Sequence, residues 1–429
     1  MEKTQLDNQN SGKRQMLLFK LCTISILCLF SLYSCVNEND VEDFSISVAD
    51  EFGTYNVLNL SDYVKDIRYI PLETNDSVLL REIKSLIYED EKIMLLDRNS
   101  SNCWVFDNNG DFFRKIGQKG QGPNEYIVIS QIFFNEGLIF LNATPHMLLV
   151  YDMNGNFIKK VERPNNLRDL SVINSLQMLN SNVFLADNVS YELIYRPQML
   201  LIEVNDDTSK IVKTFVDPIK IEKEFEGYSL GEATCFHRFN DNIRFHRGSN
   251  CDTIYTIGKD LEIKDAFIFN FGKYKPTMDF IVSGRKGRDR NIDPITVDLI
   301  LESSNYLFIK FGFYRNAPEP FLYWRHFTQR KIEVPNSSVL GLYEKNTGKL
   351  NLMKQPIKGE LGFCNDVDGC AVIWPQYIST KGEIVTSITA DAFLDFYDKI
   401  DNPSSELIEL AEKINPDDNP IIIVAKLKE

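Results

Sequence analysis

The chain has 429 residues, a formal net charge of −14 at pH 7 and four histidines. This acidic balance argues against nucleic acid or an anionic membrane surface as the partner, because both favour surfaces rich in Lys and Arg. No C-x-x-C or H-x-x-x-H spacing occurs, so the sequence predicts no zinc site, and no other metal or cofactor is expected.

Residues 1–34 have the pattern of a secretory signal peptide. Lys13 and Arg14 precede an apolar run, and Leu-Tyr-Ser-Cys closes the segment at residues 32–35. The uncharged part of the run, Leu21–Ser34, has 14 residues, whereas a membrane-spanning helix needs about 18, so a transmembrane anchor is the disfavoured alternative. Leu-Tyr-Ser-Cys at residues 32–35 resembles a bacterial lipobox. This resemblance implies that Cys35 is lipidated and becomes the first residue of the mature chain.

Lipid on Cys35 is the expected sole membrane attachment, since no later run is long and uncharged enough to span a bilayer. Loss of residues 1–34, with four basic and two acidic residues, takes the formal charge from −14 to −16. Residues 35–54 are acidic and poor in large apolar side chains, which predicts a solvated tether. A short acidic run behind the lipidated cysteine is similar to the surface-export signal of Bacteroidetes lipoproteins. The similarity implies anchoring in the outer membrane with display on the cell surface.

Five cysteines remain once the leader is removed and Cys35 carries lipid. An odd number gives no complete disulfide framework. Cys364 and Cys370 flank a turn-like stretch, so the sequence allows either a disulfide between them or two free thiols.

Two stretches align without a gap at an offset of 45 residues. VFDNNGDFFRKI begins at Val105 and VYDMNGNFIKKV at Val150, and over Leu86–Ile116 against Gln131–Val161 nine of 31 positions are identical. Each unit has short apolar strands separated by an Asn-Gly pair, which suits a type I′ hairpin turn. Strand-rich periods of about 40–50 residues are typical of propeller blades, each a four-stranded sheet packed against its neighbours.

Three stretches carry a more specific resemblance: IRYIPLET at residues 67–74, the stretch 105–126, and DNPIIIVAKLK at 418–428. They are similar to the six-bladed β-propeller lipoproteins of Bacteroidetes, relatives of NHL-repeat propellers. The resemblance implies an all-β domain over residues 55–429 with six four-stranded blades, and it carries no established reaction. It also implies closure of the ring by strands from both termini, so Ile421–Val424 is expected to pair within Arg68–Leu72.

A helical insertion is predicted before the closing strand. Apolar residues recur there at helical spacing, namely Leu407, Ile408, Leu410, Ala411 and Ile414. Pro-Ser-Ser-Glu at residues 403–406 favours a helix start, and Asn-Pro at 415–416 favours its end. We expect the apolar face of this helix to pack on the propeller rather than to recruit a partner.

The stretch GQKGQGPNEY at residues 117–126 is rich in glycine but lacks the Lys and hydroxyl residue that follow the last glycine of a phosphate-binding loop. By the propeller resemblance it links two blades, and its glycines supply positive φ at several positions. In NHL-type propellers this link and the loop between the second and third strands open on one face. The resemblance thus implies that eight residues lie on one candidate ligand face: Asp97, Arg98, Lys119, Gln121, Asn124, Glu125, Tyr126 and His146. Solvated loop residues with local turn bonds are the alternative.

Three further motifs occur in the chain. Gly227–Gly231 matches G-x-S-x-G, but it lies in a predicted loop running into a strand, so we interpret the match as coincidence. The basic run at 284–290 is either an anion clasp or a loop tip. FLYWRHF at 321–327 is either an aromatic platform for a sugar or a half-buried strand.

The sequence predicts an extracytoplasmic lipoprotein whose propeller binds a ligand or a partner protein, as in glycan or nutrient acquisition or sensing. The alternative is an enzyme of lactonase, lyase or hydrolase type with its site at the central channel. Four histidines, no metal-ligand spacing and no repeated acidic motif at the ends of inner strands favour binding. No catalytic residue is predicted, and a monomer is expected.

Overall fold

The computed structural model describes residues 45–164, 171–190, 198–215, 235–247, 251–277, 293–327 and 330–428, except the side chains at 321–336 and a few strand ends. Most regular structure in these ranges is β-strand, because short apolar and alternating runs bounded by turn residues favour strands. The strands form six antiparallel blades of four strands each. We number the blades 1 to 6 by the position of their innermost strand in the chain.

Each blade is given from its innermost strand outwards. Blade 1 contains Ile83–Glu89, Lys92–Asp97, Cys103–Asp107 and Phe112–Ile116. Blade 2 contains Val128–Asn135, Leu138–Thr144, Leu148–Asp152 and Phe157–Val161. Blade 3 contains Ser171–Asn180, Val183–Ser190, Gln198–Asn205 and Thr208–Phe215.

The second half of the ring has the same order. Blade 4 contains Cys235–Phe239, Asn242–His246, Thr253–Ile257 and Ile263–Asn270. Blade 5 contains Thr296–Glu302, Tyr306–Gly312, Ser338–Glu344 and Lys349–Met353. A separate hairpin, Phe321–Phe327 with Arg330–Asn336, lies between its second and third strands. Blade 6 contains Tyr377–Ile378, Glu383–Ile388, Ile421–Leu427 and Val64–Pro71.

Hydrophobic side chains between the blades hold them in a ring. Over the described residues six buried clusters occur, one at each interface between neighbouring blades. The innermost strands contact one another in succession from blade 1 to blade 6 and back to blade 1. Burial of apolar faces between blades is the main stabilising contribution in such a fold. The predicted six-bladed propeller is confirmed.

Strands from both ends of the chain close the ring. Ile421 lies opposite Pro71 and Val424 opposite Arg68 in an antiparallel pair, as the sequence predicts. The buried side chain of Asn419 fastens this closure, because its amide nitrogen donates to the carbonyls of Glu73 and Val78 at 2.6 and 2.9 Å. Shared strands leave no open blade at the junction.

The first described residues form a strap along the outer edges of two blades. Ser45–Ser47 pairs in parallel with the outermost strand of blade 4, and Tyr55–Asn56 with that of blade 5. Ile46 and Val48 are fully buried, and Phe52 stacks on Tyr274 with ring centroids 4.3 Å apart. These apolar contacts extend the propeller to Ser45, into the segment for which the sequence predicts a tether.

Two short helices lie between the second and third strands of blade 6, where the helical insertion is predicted. They span Ala390–Tyr397 and Ser405–Ala411, and Ser404 Oγ caps the second by accepting from the amide of Leu407 at 3.2 Å. Phe393 and Leu407 are buried in the cluster between blades 5 and 6, so the insertion packs on the propeller as expected. Among the described residues, no helix combines the length and hydrophobicity that crossing a membrane requires.

The turns at the two Asn-Gly pairs differ from the type I′ expectation. Only the glycines have positive φ, +89° at Gly110 and +71° at Gly155. The Gly110 amide donates to the carbonyl of Asp107 at 3.1 Å, and the Asp107 carboxylate accepts from the amide of Asn109 at 2.8 Å. This is a type I turn followed by a glycine bulge, which Asp at its first position stabilises. Type I′ was therefore the wrong prediction at these two pairs.

The connections between strands fall on two faces of the ring. Those joining strands one to two and three to four lie on one side, which we call the turn face; they have two to five residues, as at 90–91 and 258–262. Those joining strands two to three and one blade to the next lie on the other side, which we call the loop face. It carries the hairpin within residues 313–337 and the helices within 389–420. The hairpin and the two helices, the long insertions in the described part of the chain, therefore lie on one face.

Candidate ligand site at the loop face

Four innermost strands carry a β-bulge near their loop-face ends, and we call this end of the ring the channel mouth. The bulged residues are Lys84, Ser130, Asn174 and Asp298. A bulge leaves a residue unpaired and re-aims its side chain, and bulges are common beside functional sites. Ser130 is engaged, since its hydroxyl donates to the carbonyl of Asn142 at 3.1 Å. Lys84 and Asp298 give the mouth opposite charges on blades 1 and 5.

Lys84 and Arg98 bring two cations together on blade 1. The ammonium of Lys84 donates one long hydrogen bond, 3.5 Å, to the carbonyl of Ile129 in blade 2. Burial lowers the pKa of Lys84, and the nearby Arg98 charge lowers it further. Arg98 opens the loop between strands two and three, and its Nε lies 2.6 Å from the carboxylate of Glu82. The Arg98 side chain remains 51% exposed.

Asp298 and Cys235 form a different surface where blades 4 and 5 meet. Desolvation of the carboxylate raises the pKa of Asp298. The positive charge of Lys310 and a hydrogen bond from the Thr296 hydroxyl lower it again only in part. The thiol of Cys235 donates to the carbonyl of Asp298 at 3.3 Å. Burial raises the pKa of Cys235 to about 11, so this thiol stays protonated at neutral pH and is a poor nucleophile.

The residues predicted for the ligand face divide by exposure. Arg98, Lys119, Gln121 and Asn124 are exposed on loop-face connections. Asp97 and Tyr126 are buried, while Glu125 and His146 are half-buried. Lys119 joins the Arg98 loop, since its ammonium donates to the carbonyl of Ser100 at 3.3 Å. Cations from three segments therefore gather at blade 1.

The Asp97 carboxylate is engaged in hydrogen bonds with its own loop and with the segment before blade 1. Asp97 is 2% exposed, and its carboxylate accepts from the amide and hydroxyl of Ser100 at 3.0 and 2.5 Å. It also accepts from the amide of Glu82 at 3.3 Å. These bonds fix the loop that carries Arg98 to the segment that carries its acidic partner.

The glycine-rich stretch links blades 1 and 2, as the resemblance implies, and Tyr126 anchors it. The Tyr126 ring is fully buried, and its carbonyl accepts from the amide of Gly120 at 2.9 Å. Gly117 has positive φ, +74°, whereas Gly120 and Gly122 do not. Side chains at these two positions would crowd the carboxylate of Glu125, which accepts from the Gly122 amide at 2.7 Å. Glycine here therefore supplies space more than positive φ.

His146 lies in the equivalent loop of blade 2 but turns towards its own blade. Its Nδ1 is 3.1 Å from the carboxylate of Glu162, which also pairs with Lys160 at 2.8 Å. The His146 side chain is only 9% exposed. It supports the loop, and the structure does not bring it together with the exposed cations of blade 1.

A buried charge cluster that was not predicted from the sequence lies near the turn face. The side chain of Glu302 is fully buried between blades 4 and 5 and pairs with His237 at 2.9 Å, Arg244 at 3.2 Å and Lys345 at 2.6 Å. Burial raises the pKa of Glu302, but His237, then Lys345 and Arg244, outweigh this effect and lower the pKa to about 2. The cluster ties two blades together, and we call it the Glu302 cluster.

Glu89 occupies the same place in blade 1 that Glu302 occupies in blade 5, the last residue of the innermost strand. It is 6% exposed and accepts from the Tyr377 hydroxyl and from the amide of Thr380, both at 2.8 Å, in blade 6. Two of the six innermost strands therefore end in a buried glutamate, a recurrence that the sequence analysis did not identify. A comparison of IYE with LILE at the ends of these strands is the signal that identifies the recurrence.

Several predicted features lie outside the described residues. These are Cys35, the motif Gly227–Gly231 and the basic run at 284–290. FLYWRHF forms the first strand of the blade 5 hairpin, but the side chains of that hairpin are likewise not described. Cys364 and Cys370 are both free thiols in the structure. Over the described ranges no group of three or more His, Cys, Asp or Glu is arranged to hold a metal ion.

The ring of six four-stranded blades with its insertions on one face defines a six-bladed β-propeller. The chain belongs to the family described as domain of unknown function DUF4934, which matches residues 43–426. A Bacteroides fragilis protein described as exported has a similar crystal structure, with 21% identity, a TM-score of 0.62, and coverage of 90% of this chain and 100% of that chain. A DUF4221 member from Bacteroides vulgatus matches at 11% identity and a TM-score of 0.48, covering 85% and 97%. No curated protein matches the chain.

Proposed function

We propose that this protein is a lipid-anchored propeller of the bacterial cell envelope that binds a ligand at its loop face without transforming it. The observation that carries the proposal is the asymmetry of the two faces. Turn-face connections have two to five residues, whereas the loop face carries a hairpin, two helices and, among the links described throughout, those at 72–82, 117–127 and 354–376. In repeat folds, insertions on one face commonly mark the binding face.

The chemistry of the channel mouth favours binding over catalysis. The Cys235 thiol is held protonated, and the Asp97 carboxylate is occupied by loop hydrogen bonds. Exposed groups on blade 1, by contrast, are donors suited to recognition: Arg98, Lys119, Gln121 and Asn124.

We expect a binding screen to separate the two faces. The full chain, purified in detergent, is applied to arrays of oligosaccharides and peptides. Asn99→Trp places a bulky side chain in the exposed loop beside Arg98, and Ser304→Trp places the same side chain in a turn of blade 5. A ligand of the loop face loses about tenfold or more in affinity with Asn99→Trp and binds Ser304→Trp like the wild type.

Equal binding by both variants would contradict the loop-face assignment. Mass spectrometry of recovered ligands tests the other half of the proposal. A chemically altered ligand would favour the propeller-enzyme alternative.

The lipid anchor is proposed from the leader and from Leu-Tyr-Ser-Cys at residues 32–35. The description of the Bacteroides fragilis protein as exported supports a location outside the cytoplasm. We further propose the outer membrane as the site of anchoring, with the acidic residues behind Cys35 serving surface display.

Cys35→Ala is expected to abolish lipidation. Cells are grown with an alkyne-bearing fatty acid, and the label on the purified protein is measured after coupling to a dye. Cys28→Ala, a cysteine of the leader outside the lipobox, is the matched control and is expected to retain full labelling. Undiminished label on Cys35→Ala would overturn the proposed anchor.

A further inference from the structure

We propose that Lys84 and Arg98 form a two-cation clamp for an oxyanion at the channel mouth, so that the ligand of the loop face carries a carboxylate or a phosphate group. This inference rests on the proposed function and names the chemical class of its ligand. Lys84 belongs to no predicted site, and it is identified only by its bulge in the innermost strand of blade 1.

The two cations stand on neighbouring elements, because Lys84 is bulged beside the pair Ile83 and Asp97, and Arg98 follows Asp97. Lys84 stands on the bulge, and within the described ranges its ammonium makes one hydrogen bond, 3.5 Å long, to the carbonyl of Ile129. An ammonium has three N–H donors, so this bond leaves two of them for other acceptors. Arg98 is fixed through its own amide, which donates to the carbonyl of Glu82 at 2.8 Å.

The local charge is positive on a chain that is acidic as a whole. Lys84, Arg98 and Lys119 lie on segments around the loop that begins at Arg98. Glu82 pairs with Arg98, and the buried Asp97 is a second acid of the same segments, so three cations face two carboxylates. Two like charges close together at a partly desolvated position repel each other, which an anion bound between them relieves. The carboxylate of Asp298 on blade 5 disfavours anions at that part of the mouth, so the anionic end of a ligand is directed to blade 1.

Preorganisation makes the clamp more than a surface cluster. The buried carboxylate of Asp97 closes the loop that carries Arg98, so that loop needs little ordering when a ligand binds. Guanidinium groups bind carboxylate and phosphate through paired hydrogen bonds, and ammonium groups act as point charges beside them.

The test uses four sugars that differ only in their charged group. Glucuronate supplies a carboxylate, glucose 6-phosphate a phosphate, glucose 6-sulfate a sulfate, and glucose no charge. Binding to the full chain in detergent is measured by calorimetry for the wild type, Lys84→Gln and Arg98→Gln. Lys381→Gln, which removes an exposed lysine from a turn of blade 6, is the matched control.

We expect the carboxylate or the phosphate sugar to bind and glucose not to bind. Each clamp variant is expected to lose about tenfold in affinity, while Lys381→Gln retains wild-type affinity. Arg98→Lys keeps the charge but loses the planar fork, so it restores part of the affinity lost in Arg98→Gln. Thermal unfolding checks that the variants remain folded, since an exposed ion pair contributes little to stability.

The clamp would be overturned by absence of binding to every charged sugar or by equal affinities in Lys84→Gln and Lys381→Gln. Binding to the sulfate sugar alone would overturn the assignment of a carboxylate or phosphate ligand. Failure of the clamp is distinguishable from failure of the proposed function. A neutral ligand from the array that is blocked by Asn99→Trp overturns the clamp and leaves binding at the loop face standing.

Discussion

Glu302→Gln is expected to destabilise the propeller by about 3–5 kcal/mol, because it leaves Arg244 and Lys345 buried without their shared carboxylate. The amide keeps the shape of the side chain, so the loss reports the charge and its hydrogen bonds rather than a cavity. Chemical denaturation at neutral pH measures this change in the free energy of unfolding.

The same carboxylate predicts a dependence of stability on pH. Its pKa is about 2 in the folded protein against an ordinary value of 4.5. A lowered pKa contributes stability that is fully present above about pH 4.5 and is lost as the pH falls towards 2. Glu302→Gln is therefore expected to lose less stability over this range than the wild type does.

Glu203→Gln is the matched control for the charge cluster. Its carboxylate pairs with Lys210 at 2.6 Å, but the Lys210 side chain is 61% exposed, so we expect a loss of about 0–1 kcal/mol. Equal losses in the two Gln variants would show that the Glu302 cluster contributes no more than a surface pair.

Gly110→Ala is expected to cost about 2–5 kcal/mol of stability, because two effects act at one position. The backbone has φ +89°, which L-residues rarely adopt, and an added Cβ would overlap the carbonyl oxygen of Pro71. Pro71 lies in the outermost strand of blade 6 and pairs with Ile421, so displacement of its carbonyl disturbs the closure of the ring. The free energy of unfolding again measures the effect.

Gly137→Ala separates the two effects. Gly137 has a similar φ, +75°, but no atom lies within 4 Å of an added Cβ. We expect this variant to lose about 1–2 kcal/mol, the cost of the backbone conformation alone. If both alanine variants lost the same amount, the contact between Gly110 and the neighbouring blade would have no energetic role.

The sequence predicts the architecture well because the fold depends on periodic features. Short apolar strands and the repeated Asp-x-Asn-Gly turns mark the blades, and the apolar run Ile421–Val424 marks the closing strand. Helical spacing and the Ser404 cap identify the insertion in blade 6. These signals are local or simply repeated, so they can be recognised in the sequence without knowledge of long-range contacts.

The gapless repeat of 45 residues nevertheless conceals a one-residue shift. Strand three begins at Cys103 in blade 1 and Leu148 in blade 2, an offset of 45, whereas the bulged residues Lys84 and Ser130 are 46 apart. Six residues lie between the paired Leu96 and Cys103 in blade 1, whereas five lie between the paired Asn142 and Leu148 in blade 2. Because side chains alternate between the faces of a strand, such a slip assigns inner-strand residues to the wrong face.

The candidate site was harder to predict, since exposure and long-range pairing decide which side chains are available. Tyr126 and Asp97 lie on the predicted loops, yet both are buried. The partners of Glu302 on blade 4, His237 and Arg244, are 65 and 58 residues away in the chain. No local pattern reveals such pairs, and the bulge that presents Lys84 becomes visible only from strand pairing.

The strap at the start of the described chain constrains the order in which the molecule is completed. Ser45–Ser47 pairs with residues 268–270, and Tyr55–Asn56 pairs with Leu352 and Met353. Among the first residues to be synthesised, these are therefore among the last to find their partners. Val64–Pro71 must wait longer still, for Ile421–Leu427. Contacts of such long sequence separation form slowly, so residues 45–71 stay unpaired while the rest of the chain is made, which is compatible with the proposed export of the chain before it folds.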